Sequence, residues 1–387
     1  MSQAVARIYR ALLSGESIAV YGDFDTDGIT ATALLVQGLA MLNCKATPYI
    51  PHRLTEGYGL KTPALESLRQ QGISLVITVD CGITALREVR RAKRKGLDII
   101  ITDHHTPLDV LPEATAVIDP KLPDSNYPFP ELAGVGVALK LLQALFRGIG
   151  KEEQLDQMMD LVALGTVADM MPLLGENRYL VKQGLKLINA SPRLGIREMT
   201  AQHGPNIANF DAETISWSIA PRLNAAGRLE HAMSSYRLLT TDSPQEAHEL
   251  AAWLEQKNTE RQKLTTKALT EAREQILGRG ITPLLMAGDR DFPAGICGLV
   301  ASKLAEEFYR PTVVVKIGDR VSSGSCRSIP EFNIILALTQ CSNLFYHFGG
   351  HAQAAGFSMS TRNLPRLEQA LSQLASARLD GLDLRPT

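Results

Sequence analysis

The stretch Tyr21-Gly22-Asp23-Phe24-Asp25-Thr26-Asp27-Gly28 decides the fold, because an apolar run ends there in three carboxylates at alternate positions. Residues 17–21 predict a short buried strand, and residues 29–42 have the length and apolar content of a helix. The acids therefore lie where a strand meets a helix, which in an open parallel sheet is the carboxyl edge, where ligands bind. Crowded carboxylates repel one another unless a proton or a cation compensates them, so the spacing indicates a divalent metal site. A solvated Asp-rich turn that caps the helix is the alternative.

The overall composition places the chain among ordinary globular proteins. Its 387 residues exceed what one hydrophobic core usually supports, so two or three domains are expected. Hydrophobic residues make up 45% and charged residues 21%, which excludes the disordered classes. With 40 basic and 41 acidic side chains the net charge is −1, so any binding of nucleic acid must come from local sites.

Cysteine usage and the N-terminus bear on the compartment. The five cysteines are odd in number, scattered and without a Cys-x-x-Cys pair, so neither a disulfide framework nor a zinc knuckle is indicated. A reducing cytoplasm is therefore predicted. Residues 1–15 look amphipathic but lack the apolar stretch and cleavage site of a signal peptide, and no run is long enough to span a bilayer. No membrane partner is expected.

The first third of the chain alternates apolar runs with helical stretches. Strands are predicted at 45–50, 75–79, 98–102 and 116–118, with helices at 62–71 and 84–95. This alternation predicts a parallel sheet with helices on both faces.

Strand ends again supply metal-competent side chains. The run over 75–79 leads into Asp80-Cys81-Gly82, and the run over 98–102 leads into Asp103-His104-His105. An Asp after a strand often caps the next helix, and paired histidines often lie in surface loops, but three such coincidences at one sheet edge favour a site. A fourth candidate, weak on its own, is Asp169, which follows an apolar helix predicted over 155–164.

Three other stretches have simpler interpretations. The glycines of 134–148 resemble a phosphate-binding loop, but their spacing is not that of a P-loop, and a buried helix is favoured. The basic residues clustered in 87–95 fall on a predicted crossover helix, and a solvated outer face is favoured over contact with nucleic acid. The polar stretch 243–277 has no Gly and no Pro after Pro244, which predicts one extended linking helix.

A second α/β unit follows this helix. Strands are predicted near 283–287, 312–317 and 321–325, with helices near 296–308 and 333–339. Its landmarks are Ser-Gly-Ser-Cys-Arg-Ser over 323–328 and Phe-Gly-Gly-His-Ala-Gln-Ala-Ala-Gly over 348–356. Glycines beside Ser, Arg and His expose backbone N–H groups and cationic donors, which suits a phosphate or carboxylate ligand. Ordinary turns with a hydrogen-bonded histidine are the alternative.

Taken in order, these segments resemble the DHH phosphoesterase superfamily, which is named after the triplet found here as Asp103-His104-His105. Residues 51–60 and 221–228 resemble the RecJ-like single-strand-specific exonucleases within it. The resemblance implies an α/β protein with a parallel-sheet DHH domain over 1–240. A linking helix over 241–280 would join it to a smaller α/β DHHA1 substrate-binding domain over 281–380. The active site would lie in the cleft between the two domains.

The resemblance also implies site residues. Two Mn²⁺ or Mg²⁺ ions would be held by Asp25, Asp27, Asp80, His104 and Asp169, with Asp23, His105 and Asp80 acting in catalysis. The terminal 5′ phosphate would be gripped by Arg53, Ser325 and Arg327, and the scissile region contacted by Arg222 and His351. Mixed oxygen and nitrogen donors favour Mn²⁺ first, with Mg²⁺ as a substitute.

The implied function is a metal-dependent 5′-to-3′ exonuclease that hydrolyses single-stranded DNA in recombination and repair, working beside a helicase and a single-strand-binding protein. One alternative is a phosphatase for short oligonucleotides or 3′-phosphoadenosine 5′-phosphate from the same superfamily. Another is a non-catalytic, Cdc45-like DNA-binding scaffold, which the intact set of acids and histidines argues against.

The chain departs from the family pattern in two places. Many superfamily members have a His, a metal ligand, where this chain has Tyr21. Full-length RecJ-like proteins continue into an OB-fold, whereas this sequence stops at Thr387. The expectation is either the catalytic core of a longer protein or a naturally short relative that binds DNA more weakly.

Overall fold

The computed structural model describes residues 1–201 and 209–385. It divides into two compact units, Met1–Asn258 and Thr259–Thr387. The division falls within a single helix, Pro244–Arg279, which confirms the extended helix predicted from the polar stretch. No helix in the described ranges combines the length and the apolar character needed to cross a bilayer.

A parallel sheet forms the centre of the first unit. Its five strands run in the order β2-β1-β3-β4-β5, and all neighbouring pairs are parallel. The strands are β1 (Ser17–Tyr21), β2 (Ala46–Tyr49), β3 (Ile73–Val79), β4 (Asp98–Thr102) and β5 (Ala116–Ile118). The predicted parallel α/β fold is therefore confirmed, and the acidic stretches that follow β1, β3 and β4 meet at one edge of the sheet.

Helices cover both faces of this sheet. Those of the first unit that precede the linking helix are α1 (Ser2–Ser14), α2 (Thr26–Met41), α3 (Thr62–Gln70), α4 (Leu86–Arg94), α5 (Gly134–Arg147), α6 (Met159–Ala168), α7 (Gly175–Ala190), α8 (Leu194–Ala201), α9 (Ala212–Thr214), α10 (Ala220–Leu229) and α11 (Met233–Thr240). A 3₁₀ segment, Glu152–Met158, precedes α6, and a π-helical turn, Ile215–Ile219, precedes α10. The single α-helix predicted over 155–164 is therefore wrong at its start, which is 3₁₀.

Alternation along β1 explains the two layers. Ile18 and Val20 belong to a core that includes residues of α2 and α5, whereas Ala19 and Tyr21 belong to a second core with residues of α3 and α4. Buried on both faces, the strand reads as a continuous apolar run. Helix α2 is apolar and buried along most of its length, so it forms the middle of the first core.

The second unit is built on a mixed sheet with the order β6-β7-β8-β10-β9. Its strands are β6 (Leu285–Asp289), β7 (Thr312–Lys316), β8 (Val321–Arg327), β9 (Phe345–Gly350) and β10 (Ala354–Ser360). Its helices, after the linking helix α12 (Pro244–Arg279), are α13 (Ala294–Phe308), α14 (Ile334–Gln340) and α15 (Leu364–Leu379). Only the pair β6 and β7 is parallel. The sequence pattern predicts neither of the two strands, β9 and β10, that form the hairpin.

The two faces of this sheet differ. On β8, Gly324 and Cys326 are buried on the face whose core includes residues of α14 and α15. On β6 and β7, Leu285 and Val314 are buried on the opposite face, in a core with residues of α13. Ser325 and Arg327 of β8 project on this opposite face and are only partly buried.

Candidate metal centre

The loop after β1 holds its three acids through backbone contacts. Asp25 caps α2, because its side chain accepts hydrogen bonds from the N–H groups of Asp27 (3.0 Å) and Gly28 (3.2 Å). The capping alternative is therefore also true for this one acid. A Cβ on Gly28 would lie 2.6 Å from the nitrogen of Asp23, so only glycine allows the loop to close this tightly.

Helix α5 fixes Asp27. The Asp27 carboxylate accepts the backbone N–H groups of Gly134 (2.6 Å) and Val135 (2.9 Å) at the start of that helix, where the helix dipole favours negative charge. A Cβ on Gly134 would lie 2.6 Å from Cβ of Asp80. The glycine serves close approach at the start of a buried helix, which confirms the prediction made for 134–148.

Asp80 has an unusual backbone conformation. Its φ is +59°, in the left-handed region that non-glycine residues rarely adopt, and Gly82 has a φ of +115°. The hydroxyl of Thr78 donates to the carbonyl oxygen of Cys81 at 2.7 Å and closes this turn. Strain of this kind persists where the surrounding structure imposes it, and it is often found at functional sites.

The three residues of the triplet after β4 have different roles. Asp103 is an anchor, whose carboxylate accepts the N–H groups of Ile83 (2.9 Å) and His104 (2.8 Å) and lies 2.7 Å from Nδ1 of His105. Nε2 of His104 lies 3.1 Å from Oδ1 of Asp80 and 3.5 Å from Oδ2 of Asp169. The two histidines therefore face the carboxylates, while Asp103 holds them in place.

The seven side chains predicted for the metal and catalytic roles come together. They form three overlapping groups, in each of which the potential ligand atoms lie within 4.8 Å of one another. The groups are Asp23, Asp25 and Asp80; Asp80, His104 and His105; and Asp27, His104 and Asp169.

Unsatisfied polar atoms mark the centre of this cluster. Oδ1 of Asp23, Oδ1 of Asp80 and Nε2 of His104 are buried and have no hydrogen-bond partner in the described part of the chain. The contact of His104 with Asp80 is close but lacks hydrogen-bond alignment. Buried polar atoms are nearly always paired, so orphaned oxygen and nitrogen atoms that converge fit a hard or borderline divalent cation.

The pKa values of the acids show the cost of this arrangement. Burial, and then the neighbouring carboxylates, raise the pKa of Asp23 and Asp80 well above the usual range. The same causes raise the pKa of Asp27 to about 7 and that of Asp169 to about 8. A divalent cation compensates this charge, because it favours the ionised carboxylates.

The pKa values of the two histidines shift in opposite directions. Burial, and then the charge of His105, lower the pKa of His104 to about 3, so His104 is neutral, which is the state that binds metal. Burial also opposes charge on His105, but the bond to Asp103 prevails and raises its pKa to about 9. For Asp103 itself burial works against the bond to His105, yet the net result is a lowered pKa.

Arg53 is the predicted phosphate ligand that belongs to the first unit's site. Its guanidinium lies 4.7 Å from the ring centroid of Phe24. Burial lowers the pKa of Arg53, and the charges of Asp23 and Asp25 oppose that change. A cation therefore stands beside the aspartate loop, where it can balance part of the negative charge.

The other predicted substrate residues have different surroundings. Arg222 in α10 donates to Glu255 and, at 2.6 Å, to the carbonyl oxygen of Ser218. In the second unit, the side chains of Ser325 and Arg327 both lie close to Gly298 of α13. His351 follows β9 and donates its N–H to the carbonyl oxygen of Ala354 at 2.7 Å.

Sequence reasoning assigned no role to three residues near the cluster, although two of them lie in the stretches 51–60 and 221–228. Asn224 bonds to Thr26, which stands between two of the acids, and no signal links positions so far apart. The hydroxyl of Tyr58 lies 3.3 Å from Nδ1 of His105. Asp119 directly follows β5 and is buried with Oδ2 unpartnered in the described structure. The rule that found Asp80, an acid after a strand, would also have found Asp119.

Tyr21, the departure from the wider family, points away from the cluster. Its hydroxyl donates to the carbonyl oxygen of Gly59 at 3.2 Å, and its ring stacks on Tyr49 with 4.9 Å between centroids. The residue is fully buried in the core shared with α3 and α4. It therefore contributes packing to this core and no ligand atom to the cluster.

Comparison with known proteins agrees with this geometry. Residues 17–166 match the N-terminal domain of the DHH family, and residues 281–377 match the DHHA1 domain. The single-stranded-DNA-specific exonuclease RecJ of Bacillus subtilis strain 168 is 41% identical over 389 residues, which cover 100% of this chain and 49% of the relative. RecJ of Salmonella typhimurium strain LT2 is 37% identical over 402 residues, which cover 98% of this chain and 70% of the relative.

A solved structure agrees as well. The crystal structure of exonuclease RecJ bound to manganese superposes with a TM-score of 0.84 at 36% identity and covers 99% of this chain and 96% of that one. The chain spans about half the length of the Bacillus subtilis relative. From its two matched domains and its identity to these proteins over nearly its whole length, the chain belongs to the RecJ family.

Proposed function

We propose that this chain hydrolyses the phosphodiester bonds of single-stranded DNA from the 5′ end, using two divalent cations, Mn²⁺ or in its place Mg²⁺. The observation that carries the proposal is the convergence of seven acids and histidines around buried atoms without hydrogen-bond partners. The curated RecJ relatives are named as single-stranded-DNA-specific exonucleases, and one RecJ structure was solved with manganese.

The cation ligands in this proposal are Asp25, Asp27, Asp80, His104 and Asp169. When bound, a pair of divalent cations supplies a nucleophile at neutral pH and absorbs the charge that develops on the phosphoryl group. The mixture of carboxylate oxygens with one imidazole nitrogen favours Mn²⁺, since Mg²⁺ prefers oxygen donors and keeps its water.

The protein's own groups would orient the reaction. Asp103 holds the ring of His105 at 2.7 Å, and this ring, with Asp23, would support the phosphate or the attacking water. Burial lowers the pKa of His104, so its imidazole is neutral and can bind a cation. Arg53, next to the aspartate loop, offers a planar cation that matches a phosphate group.

The second unit would recognise the end of the strand. Ser325 and Arg327 place a hydroxyl and a guanidinium together beside Gly298, which is a suitable donor pair for a terminal phosphate. Recognition of a terminal group makes a nuclease an exonuclease. The roles predicted for Arg222 and His351 at the scissile region stay predictions.

The compartment and partners are part of the proposal. All five cysteines are buried free thiols, which suits a reducing cytoplasm. We propose that the protein acts there in DNA repair and recombination, beside a helicase and a single-strand-binding protein. Pull-down of the purified chain against each purified partner, with and without DNA, tests this contact.

The activity is tested with single-stranded DNA labelled at either end and incubated with Mn²⁺. Early release of the 5′ label as a mononucleotide, with no early release of the 3′ label, is the expected result. Asp80→Ala should abolish cleavage while the protein stays folded, whereas Asp156→Ala, which removes an exposed acid of the same unit, should not. Release that begins at the 3′ end, or full activity in Asp80→Ala, would contradict the proposal.

A further inference from the structure

On the face of the second sheet that carries α13, the part formed by β8, β10 and β9 has a regular construction. The register of β8, β10 and β9 places Ser325, Gly356 and Gly349 side by side in one row across the sheet. Two residues further along each strand, a second row consists of Ser323, Ser358 and His347. The alternate residues of β8 and β10 are buried, so both rows project on the partly exposed face.

The first row is almost bare backbone. A Cβ on Gly349 would meet no atom within 4 Å, and one on Gly356 would meet only the carbonyl oxygen of Gly324, at 3.6 Å. Packing therefore does not require glycine at either position. Glycine inside a strand commonly marks a place where a ligand approaches the backbone closely, so this row can seat a sugar-phosphate group against the sheet.

The second row carries donors that the protein does not use. The side chains of Ser323, Ser358 and His347 make no hydrogen bond, ion pair or ring contact within the described residues, and none of these residues is a carboxylate. Hydroxyl and imidazole donors without a competing acid suit an anionic ligand. The two rows are separated by two residues of a strand, about 6.7 Å, so the second row is a contact point distinct from the first.

An aromatic side chain stands next to this row. The pairing of β10 with β9 shifts register at this point, because Ser358 opposes His347 while Met359 opposes Phe345, and Tyr346 is the extra residue. Such a β-bulge changes where a side chain points. Tyr346 is 58% exposed, whereas Phe345 and Phe348 contact each other at 5.3 Å between ring centroids in the core on the other face.

We propose that Tyr346, His347, Ser358 and Ser323 form a nucleotide subsite for single-stranded DNA, in the row of the sheet next to that of Ser325 and the glycines. The hydroxyls and the imidazole bind the phosphate, and the Tyr346 ring stacks on the base. This inference rests on the proposed function for its ligand, and it adds a second point of contact on the strand. The subsite is independent of base identity, since stacking and phosphate contacts are available to every nucleotide.

The test is binding of a fluorescent oligothymidylate of about 12 nucleotides to the full chain in EDTA, followed by fluorescence anisotropy. Tyr346→Ala combined with His347→Ala should raise Kd at least about five-fold, since stacking of one base is worth that much. Tyr346→Phe keeps the ring and should retain the parent Kd. An unchanged Kd in the double variant overturns the subsite.

Two controls match the variants. Tyr179→Ala removes a tyrosine that is 59% exposed on α7 of the first unit, and Arg366→Ala removes an exposed cation from α15 of the second. Both should bind the oligonucleotide as the parent does. If they weaken binding as much as the double variant does, the loss is not specific to the subsite, and the proposal fails.

Hydrolysis of bis(p-nitrophenyl) phosphate in Mn²⁺ separates this inference from the proposed function. The double variant should hydrolyse this small diester at the parent rate, because the diester has no second nucleotide that could occupy the subsite. A parent that hydrolyses neither diester nor DNA would refute the proposed function, while the comparison of Kd values would still decide the subsite.

Discussion

Asn224 holds Thr26 by two hydrogen bonds: its amide oxygen accepts the backbone N–H at 2.8 Å and the hydroxyl at 3.1 Å. Thr26 stands between Asp25 and Asp27, so α10 fixes the position of two proposed metal ligands without contacting a metal. A Cβ on Gly227, one turn along α10, would lie 2.5 Å from the carbonyl oxygen of Phe24. The helix and the aspartate loop are thus in close contact at two points.

Removing this clamp should destabilise the protein. Asn224→Ala leaves the N–H and the hydroxyl of Thr26 without this partner, which we expect to lower the free energy of unfolding by about 1 to 3 kcal/mol. Thr26→Val removes only the hydroxyl bond and should cost less. Urea unfolding of both variants checks the order, and equal costs would show that the backbone N–H bond contributes nothing.

Gly134→Ala should damage the site more than the fold. Its new methyl group would lie 2.6 Å from Cβ of Asp80, so the Asp80 side chain must move. We expect a loss of Mn²⁺ affinity, measured by calorimetry, of at least about ten-fold, because a ligand displaced by this much no longer completes the set. Gly278→Ala in α12 meets no atom within 4 Å and serves as the control, with unchanged affinity.

The stability of the cation-free protein should fall as the pH rises. The pKa of Asp27 is about 7 and that of Asp169 about 8 in the folded state, both above the usual value for Asp, and the pKa of His105 is raised to about 9. The folded protein therefore holds protons that the unfolded one has released, from the usual Asp value of 3.8 up to about pH 8 for the two acids and from 6.5 up to about pH 9 for His105, and stability decreases as the pH rises to about 9.

Mn²⁺ should remove the part of this dependence that comes from Asp27 and Asp169, since it binds the deprotonated carboxylates, whereas the part from His105, which is held by Asp103, should remain. Thermal unfolding in EDTA and in excess Mn²⁺, at several pH values in the same window, makes the comparison. A Tm in EDTA that rises with pH, or that falls equally with and without Mn²⁺, would contradict the assignment of these groups to a cation site.

Arg327→Ala should weaken the preference for a 5′ phosphate. The guanidinium lies beside the Ser325 hydroxyl, and loss of a charged hydrogen-bond donor is expected to reduce the ratio of kcat/KM for phosphorylated over unphosphorylated ends by about ten-fold or more. Arg327→Lys should recover part of this preference, because the charge remains while the planar fork is lost. The control Arg366→Ala should keep the full ratio, and an unchanged ratio in Arg327→Ala would show that another group reads the end.

The first unit was easy to predict because its signals are local. The strands Asp98–Thr102 and Ala116–Ile118 have the predicted bounds, since each is a short apolar run limited by polar residues. The acids after β1, β3 and β4 could be grouped because parallel strands end at one edge. Contacts such as that of Asn224 with Thr26 could not be predicted, because they depend on the packing of helices that carry no joint pattern.

The second unit was harder to predict for a different reason. The strands β9 and β10 contain Gly349, Gly350 and Gly356, and glycine weakens the residue pattern by which a strand is recognised. The sequence therefore predicts no strand there, only glycines beside possible ligand donors, with ordinary turns as the alternative. The residues singled out there were reasonable candidates for contact with a ligand, but the sheet that aligns them in rows became visible only in the structure.

The hydrogen bonds from the first backbone amides of α5 to Asp27 make the geometry of the proposed cation site depend on the packing of α5. Leu142 and Phe146, farther along that helix, are fully buried in the main core. A substitution that creates a cavity at either position would allow α5 to shift, and its first backbone amides would then move away from the Asp27 carboxylate. A small cavity-forming substitution in the core would then reduce the proposed activity before it caused any change in the overall folded structure.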